Sequence, residues 1–280
     1  KTAQGNTDAN GIGDFYYAPP SGYLALCTSN LPEATISPNA NTQADDYFTP
    51  YIWTGNGSNP RAFTDVGFQA DWIWIKKRSG AGTSHHITAD SSRGDNKTML
   101  INADNSEATN DGNGYISDTT TAGGFTVNAG STSDEMVNDG SDTYVAWLWK
   151  ANGGTTSTIA VDSVSSGVPS IASTVQANTT AGFSIVTYTA YASSGVYTIG
   201  HGLSQAPELI INKNRDSSGA WWSFTTLVDG SVDYVRLDDT NAKADDTASL
   251  GVPTTSVFSQ VENYTPASSN NVAYCFHSVE

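Results

Sequence analysis

The sequence predicts an all-β protein of tandem antiparallel β-sandwiches, jelly-roll-like in type. Three observations lead there. Short runs rich in Thr, Val, Ile and aromatic residues recur at close intervals, with Gly, Asn, Ser and Pro between them, which is the pattern of short strands joined by tight turns. No window of about 11 residues or more carries a clean helical period. One run occurs twice. Asp71-Trp72-Ile73-Trp74-Ile75-Lys76-Lys77-Arg78 returns as Glu208-Leu209-Ile210-Ile211-Asn212-Lys213-Asn214-Arg215. Each copy opens on an acid, is filled by apolar residues and closes on Lys-x-Arg. Such a run reads as a strand buried on both faces, and its return marks two copies of one unit.

Taken in order, residues 1–14 are polar loop. Phe15-Tyr16-Tyr17 and Tyr23–Cys27 predict short strands around the turn Ala18-Pro19-Pro20-Ser21-Gly22, and Leu31–Ile36 is expected to leave in extended form because of its prolines. Residues 1–38 are too short for a core and read as the last strands of an upstream domain or a lead-in arm. The first repeat is placed at 39–154. After a polar linker come Tyr51–Thr54, a turn at 55–60, the Trp72–Arg78 strand, His85–Asp90, Thr98–Asn102, a polar surface loop at 103–121, Gly124–Val127 and the closing Thr143–Lys150. The second repeat, 155–280, adds strands at 157–164 and 171–175 and then repeats the plan. Phe183–Thr189 answers the strand through Trp53, followed by Trp221–Phe224, Tyr234–Leu237, Val257-Phe258 and Asn271–His277.

With 28 acids against 12 bases, the net charge is −16. That balance excludes a phosphate-binding surface for nucleic acid and an anionic membrane surface. No apolar run approaches the roughly 20 residues that span a bilayer as a helix. The two cysteines, Cys27 and Cys275, lie in strand-like runs and are expected as buried free thiols. The absence of an opening Met, and the end directly after a strand, read as a piece of a longer polypeptide.

Candidate chemistry is sparse. His85 and His86 are adjacent on a predicted strand, so they point to opposite faces and do not share an ion with Asp90. Asp90 and Arg93 are expected to pair or to cap a turn. The acid pairs Asp45-Asp46, Asp134-Glu135, Asp238-Asp239 and Asp245-Asp246 sit in turn-like contexts, and no G-x-S-x-G elbow occurs. The expectation is a protein that is not an enzyme. Asp104, Glu107, Asp134 and Asp139 are weak candidates for calcium, because oxygen ligands are dense there but no EF-hand loop is formed. No other cofactor is expected. Trp53, Trp221 and Trp222 are candidates for stacking on a sugar ring. Adjacent Trp221 and Trp222 must face opposite sides of a strand, so at least one belongs to a core.

Gly11–Glu33, and the motifs Tyr51–Gly57, Gly67–Arg78, His86–Gly94 and Tyr144–Gly154 with their second copies at Ala181–Thr189, Gly200–Arg215 and Val272–Glu280, resemble virion proteins of large marine bacteriophages. There the end of a SPRY-like, concanavalin-like domain is followed by a repeated β-domain. The resemblance implies a structural virion protein, a tail fibre or surface appendage that spaces or presents a host-recognition surface. It implies a virion or extracellular location and a homo-oligomer in contact with other virion proteins; a host surface glycan is the external partner that the candidate tryptophans suggest. Two rivals remain open: a carbohydrate-binding, lectin-like adhesin and a capsule depolymerase. The basic end of the repeated strand is expected to pair with acids of its own sheet in both units. Any recognition surface is expected where the copies differ, at 79–121 and 216–256.

Overall fold

Among the described residues nineteen strands build the fold and there is no α-helix. The computed structural model describes residues 2, 4–30, 43–80, 82, 84–162, 168–246 and 248–279. The first unit contains β1 (Phe48–Thr54), β2 (Arg61–Phe63), β3 (Trp72–Ser79), β4 (Ile87–Asp90), β5 (Lys97–Leu100), β6 (Ala108–Thr109), β7 (Tyr115–Asp118), β8 (Phe125–Asn128) and β9 (Thr143–Trp149). The second contains β10 (Ser157–Ile159), β11 (Ser173–Asn178), β12 (Phe183–Thr189), β13 (Tyr197–Gly200), β14 (Leu209–Asn214), β15 (Trp222–Thr225), β16 (Asp233–Arg236), β17 (Ala244–Asp245), β18 (Val257–Gln260) and β19 (Asn270–Phe276). The large sheet of the first unit runs β1-β9-β3-β4-β5-β6, and that of the second runs β10-β11-β12-β19-β14-β15-β16-β17. Smaller sheets, β2-β8-β7 and β13-β18, complete the two sandwiches. Named strands pair antiparallel throughout.

The two strand orders are one plan, down to single hydrogen bonds. Asp71 N–H donates to Trp149 O, as Glu208 N–H does to Phe276 O. Gly55 N–H donates to Asp142 O, as Ala190 N–H does to Ser269 O. Lys150 N–H donates to Tyr47 O, as His277 N–H does to Gly182 O. Even the opening acids correspond. Asp71 accepts from Ala151 N–H at 2.7 Å, and Glu208 from Ser278 N–H at 2.8 Å. Asp71 further accepts from Gly153 and Gly154 N–H, each at 2.9 Å, which fixes the link between the units. Both glycines there have positive φ, a conformation that a Cβ disfavours.

Alternation along each strand then divides the core into three. Ile73 and Ile75 of β3 join Ala146 and Leu148 of β9 in the core of the first sandwich, and Ile210, Ala273 and Cys275 join that of the second. The opposite faces of the two large sheets meet each other. Trp72, Met99 and Ile101 pack there against Phe183, Ile185, Val272 and Tyr274. The Trp72 ring stacks on Tyr274 with centroids 4.0 Å apart and on Trp149 at 4.2 Å. The repeated strands are therefore apolar on both faces because each lies between two cores.

Charge follows the same join. Asp90 Oδ2 accepts from Arg93 Nε and from the Tyr274 hydroxyl, while Glu107 takes Arg93 Nη1 at 2.9 Å and both Nε and Nη2 of Arg215 at 3.0 Å. Burial alone would raise the pKa of Glu107, but the two guanidiniums outweigh it and hold the carboxyl below its ordinary value.

Several expectations are corrected. Lys77 does pair with Asp142 of its own unit at 2.5 Å. Arg215 instead crosses to Glu107 of the first unit, and Lys213 donates to the carbonyls of Asp104 and Gly219. Residues 103–121 are not all loop, since β6 and β7 lie there and Ile116 is buried. Residues 15–17 and 23–27 form no strand and leave Tyr17, Tyr23 and Leu26 exposed, so Cys27 is a half-buried thiol while Cys275 is buried. Leu31–Ile36 and the expected strand and turn at 163–167 lie outside the described residues.

Candidate functional site

Because the units share one plan, each position of one sandwich can be compared with its counterpart in the other. In the first, Trp53, Tyr144 and Lys77 sit side by side on β1, β9 and β3. Trp53 stacks on Tyr144 with centroids 5.3 Å apart and Lys77 is tied to Asp142, while the opening of about 200 Å3 beside Lys77 is lined by Lys76, Lys77, Arg78 and Ser79, with no aromatic ring. The same row in the second unit is Tyr188, Asn271 and Asn214 on β12, β19 and β14. In the next row Ile75 and Ile87 are answered by Asn212 and Trp222. Short amides stand where a ring and two aliphatic chains stood, and less of the space is filled.

A pocket of about 290 Å3 opens at this end of the second sandwich, lined chiefly by Asn214, Gly219, Trp222, Arg236, Asn263 and Tyr264. Trp222 is half-buried. The Arg236 guanidinium lies 4.4 Å over its ring, and the Tyr264 ring meets it edge-on at 4.6 Å. Tyr264 is held in place by a hydrogen bond from its hydroxyl to Asp246 Oδ2, and burial raises its pKa. Asn214 is fixed by Asp216 N–H and by Ser217 Oγ. The Gly219 wall is clamped from the first unit, where Asp104 O accepts Gly219 N–H at 2.8 Å and Lys213 Nζ at 2.9 Å.

The interior of the second sandwich holds buried amides. Asn212 accepts from the Tyr188 hydroxyl at 2.7 Å, and Asn271 donates to Ser269 O at 2.8 Å. Asn212 Nδ2, Asn271 Oδ1 and both amide atoms of Gln260 are buried without a hydrogen-bond partner among the described residues. An apolar sandwich core tolerates few such groups, and each costs about 1–3 kcal/mol when left unmet.

The sequence-derived candidates separate accordingly. Trp222 lines the pocket. Trp53 and Trp221 are corrected to structural roles. Trp53 is 7% exposed and donates from Nε1 to Val137 O, and Trp221 is fully buried between the units, donating to Leu100 O at 2.7 Å. For calcium, Asp104, Glu107, Asp134 and Asp139 do not gather, and among the described residues no group of three His, Cys, Asp or Glu is placed to hold a metal ion. Both oxygens of Glu107 are committed to arginines, while Asp134 O caps a turn for Val137 and Asn138 N–H and Asp139 N–H donates to the Tyr144 hydroxyl. His86 Nε2 meets Lys76 Nζ at 2.7 Å and His85 Nδ1 meets Asn102 at 3.3 Å, so the two histidines are held apart by different neighbours. Arg236, Asn214, Asn263 and Tyr264 carried no site signal of their own. The available signal was the exchange of core residues for amides between the two copies.

Fold and site together define an all-β protein of two sandwiches joined back to back, with an aromatic and amide-lined pocket in the second. A family model matches residues 43–280, across both units, and the chain belongs to that family, a domain of unknown function (DUF7483). No curated protein and no solved structure matches the chain.

Proposed function

We propose that this chain is a non-enzymatic recognition module of a bacteriophage surface appendage, such as a tail fibre, whose double sandwich presents the Trp222 pocket to a host surface glycan. The observation that carries the glycan reading is the exchange of Tyr144 and Lys77 for Asn271 and Asn214, which accompanies a pocket walled by Trp222. An indole offers a flat apolar face to the C–H face of a pyranose, and amides offer paired donors and acceptors to its hydroxyls. The virion placement rests on the resemblance described above. In an appendage, copies of the chain beside other virion proteins would turn weak sites into avid ones. The lining carries no carboxylate, so it lacks the acid pair that a depolymerase needs.

The test is an array of bacterial surface polysaccharides probed with the whole chain. The proposal expects saturable binding that is lost in Trp222→Ala. Silence across the array would leave only a spacer, and release of reducing ends from any bound polysaccharide would establish the depolymerase instead.

A further inference from the structure

We infer that the Trp222 pocket selects saccharides that bear a carboxylate, with Arg236 as the specificity-determining residue; this rests on the glycan reading above. The lining contains one guanidinium and no acid, in a chain whose net charge is −16. Most lining side chains are amides, hydroxyls or rings, so Arg236 is the one charged residue of the lining, with Asp239 paired to it just outside. The Arg236 guanidinium lies 4.4 Å over the Trp222 ring, and among the described residues its one hydrogen bond is from Nη1 to Asp239 Oδ2 at 3.1 Å. Nε and Nη2 make no hydrogen bond among the described residues and so have donors for a ligand. The pair with Asp239 is a surface one, with side chains 33% and 31% exposed. Exposed pairs of this kind are worth about 0–1 kcal/mol, so an arriving carboxylate displaces Asp239 at little cost. A guanidinium fork matches the two oxygens of a carboxylate in one plane, a geometry that an ammonium does not reproduce. The acidic surface does not abolish this preference, because charges beyond about 8 Å are screened at physiological salt.

In the first unit Ile87 stands where Trp222 stands in the second, so the opening beside Lys77 has no indole at that position among the described residues.

Calorimetric titration of the whole chain with oligogalacturonate, and with the same oligomer after carboxyl reduction, tests the inference. The acidic form is expected to bind about tenfold tighter, with the gap narrowing as salt rises. Arg236→Gln is expected to erase the gap while the circular dichroism spectrum stays unchanged, and Arg236→Lys to restore only part of it. Equal binding of the two oligomers, or a gap that survives Arg236→Gln, overturns the inference. If the reduced oligomer binds equally and Trp222→Ala abolishes that binding, the glycan reading stands and only the acid preference falls. If neither oligomer nor any polysaccharide of the array binds, both fall together.

Discussion

The Tyr274 hydroxyl, in the closing strand of the second unit, donates to Asp90 Oδ2 of the first at 2.7 Å, across 184 residues of chain. Burial lifts its pKa well above the ordinary tyrosine value, so the proton stays on the hydroxyl. Asp90 also holds Arg93, and Arg93 holds Glu107, so this hydrogen bond, together with the two from Arg215 to Glu107, ties the second unit to a buried ion network of the first. Tyr274→Phe keeps the ring on Trp72 but removes this donor. Stability to urea should fall by about 1.5–3 kcal/mol, the usual worth of a hydrogen bond to a charged group. An unchanged midpoint would show that the bond contributes nothing to the join.

The join should also govern cooperativity. In a chain of residues 155–280 alone, Phe183, Ile185, Val272 and Tyr274 lose the partners that cover them. Such a fragment should bind a hydrophobic dye and aggregate, whereas the whole chain should unfold in one transition. Two separate transitions in the whole chain would mean that the sandwiches are independent.

Stability should rise with pH in two windows. His201 is fully buried, with Nδ1 accepting from Leu203 N–H and Nε2 donating to Thr254 O, and burial lowers its pKa to about 4. The unfolded chain therefore binds more protons between pH 4 and the ordinary value of 6.5, so the stability present above 6.5 is lost as pH falls towards 4. Lys213 is lowered by burial to about 8, against the pull of Asp238 and Asp104. By the same sign, stability climbs from pH 8 towards 10.5 as the unfolded lysine keeps a proton that the folded one has released. Urea midpoints across pH should show both slopes. His201→Gln should flatten the acidic one and Lys213→Met the alkaline one.

Much of the fold was legible because burial on both faces leaves a direct mark. Trp72-Ile73-Trp74-Ile75 has no polar alternation, and its second copy at Leu209-Ile210-Ile211 fixed the repeat. What covers the second face was not legible, since a run apolar on both sides does not name its neighbour. The same gap hid the exchange of partners at Arg215, whose acid lies in the other unit. Met136 and Val137 are buried in the first core, yet they stand as an isolated pair in a polar stretch and gave no strand period. At the site, strand alternation separated Trp221 from Trp222, but only the surrounding sheets show which one is covered. Asn212, Asn214 and Asn271 become readable once set against Ile75, Lys77 and Tyr144, because amides at core positions call for hydrogen-bond partners.

The central claim is that the Trp222 pocket of the second unit is the recognition site. Its most direct measurement follows the tryptophan indole N–H signals by nuclear magnetic resonance during titration with a bacterial surface oligosaccharide that the chain binds. The account predicts that the Trp222 signal shifts and saturates with the binding isotherm, while those of Trp53 and Trp221, hydrogen-bonded to Val137 and Leu100 within the cores, stay in place. A saturating titration that leaves Trp222 unmoved would contradict it.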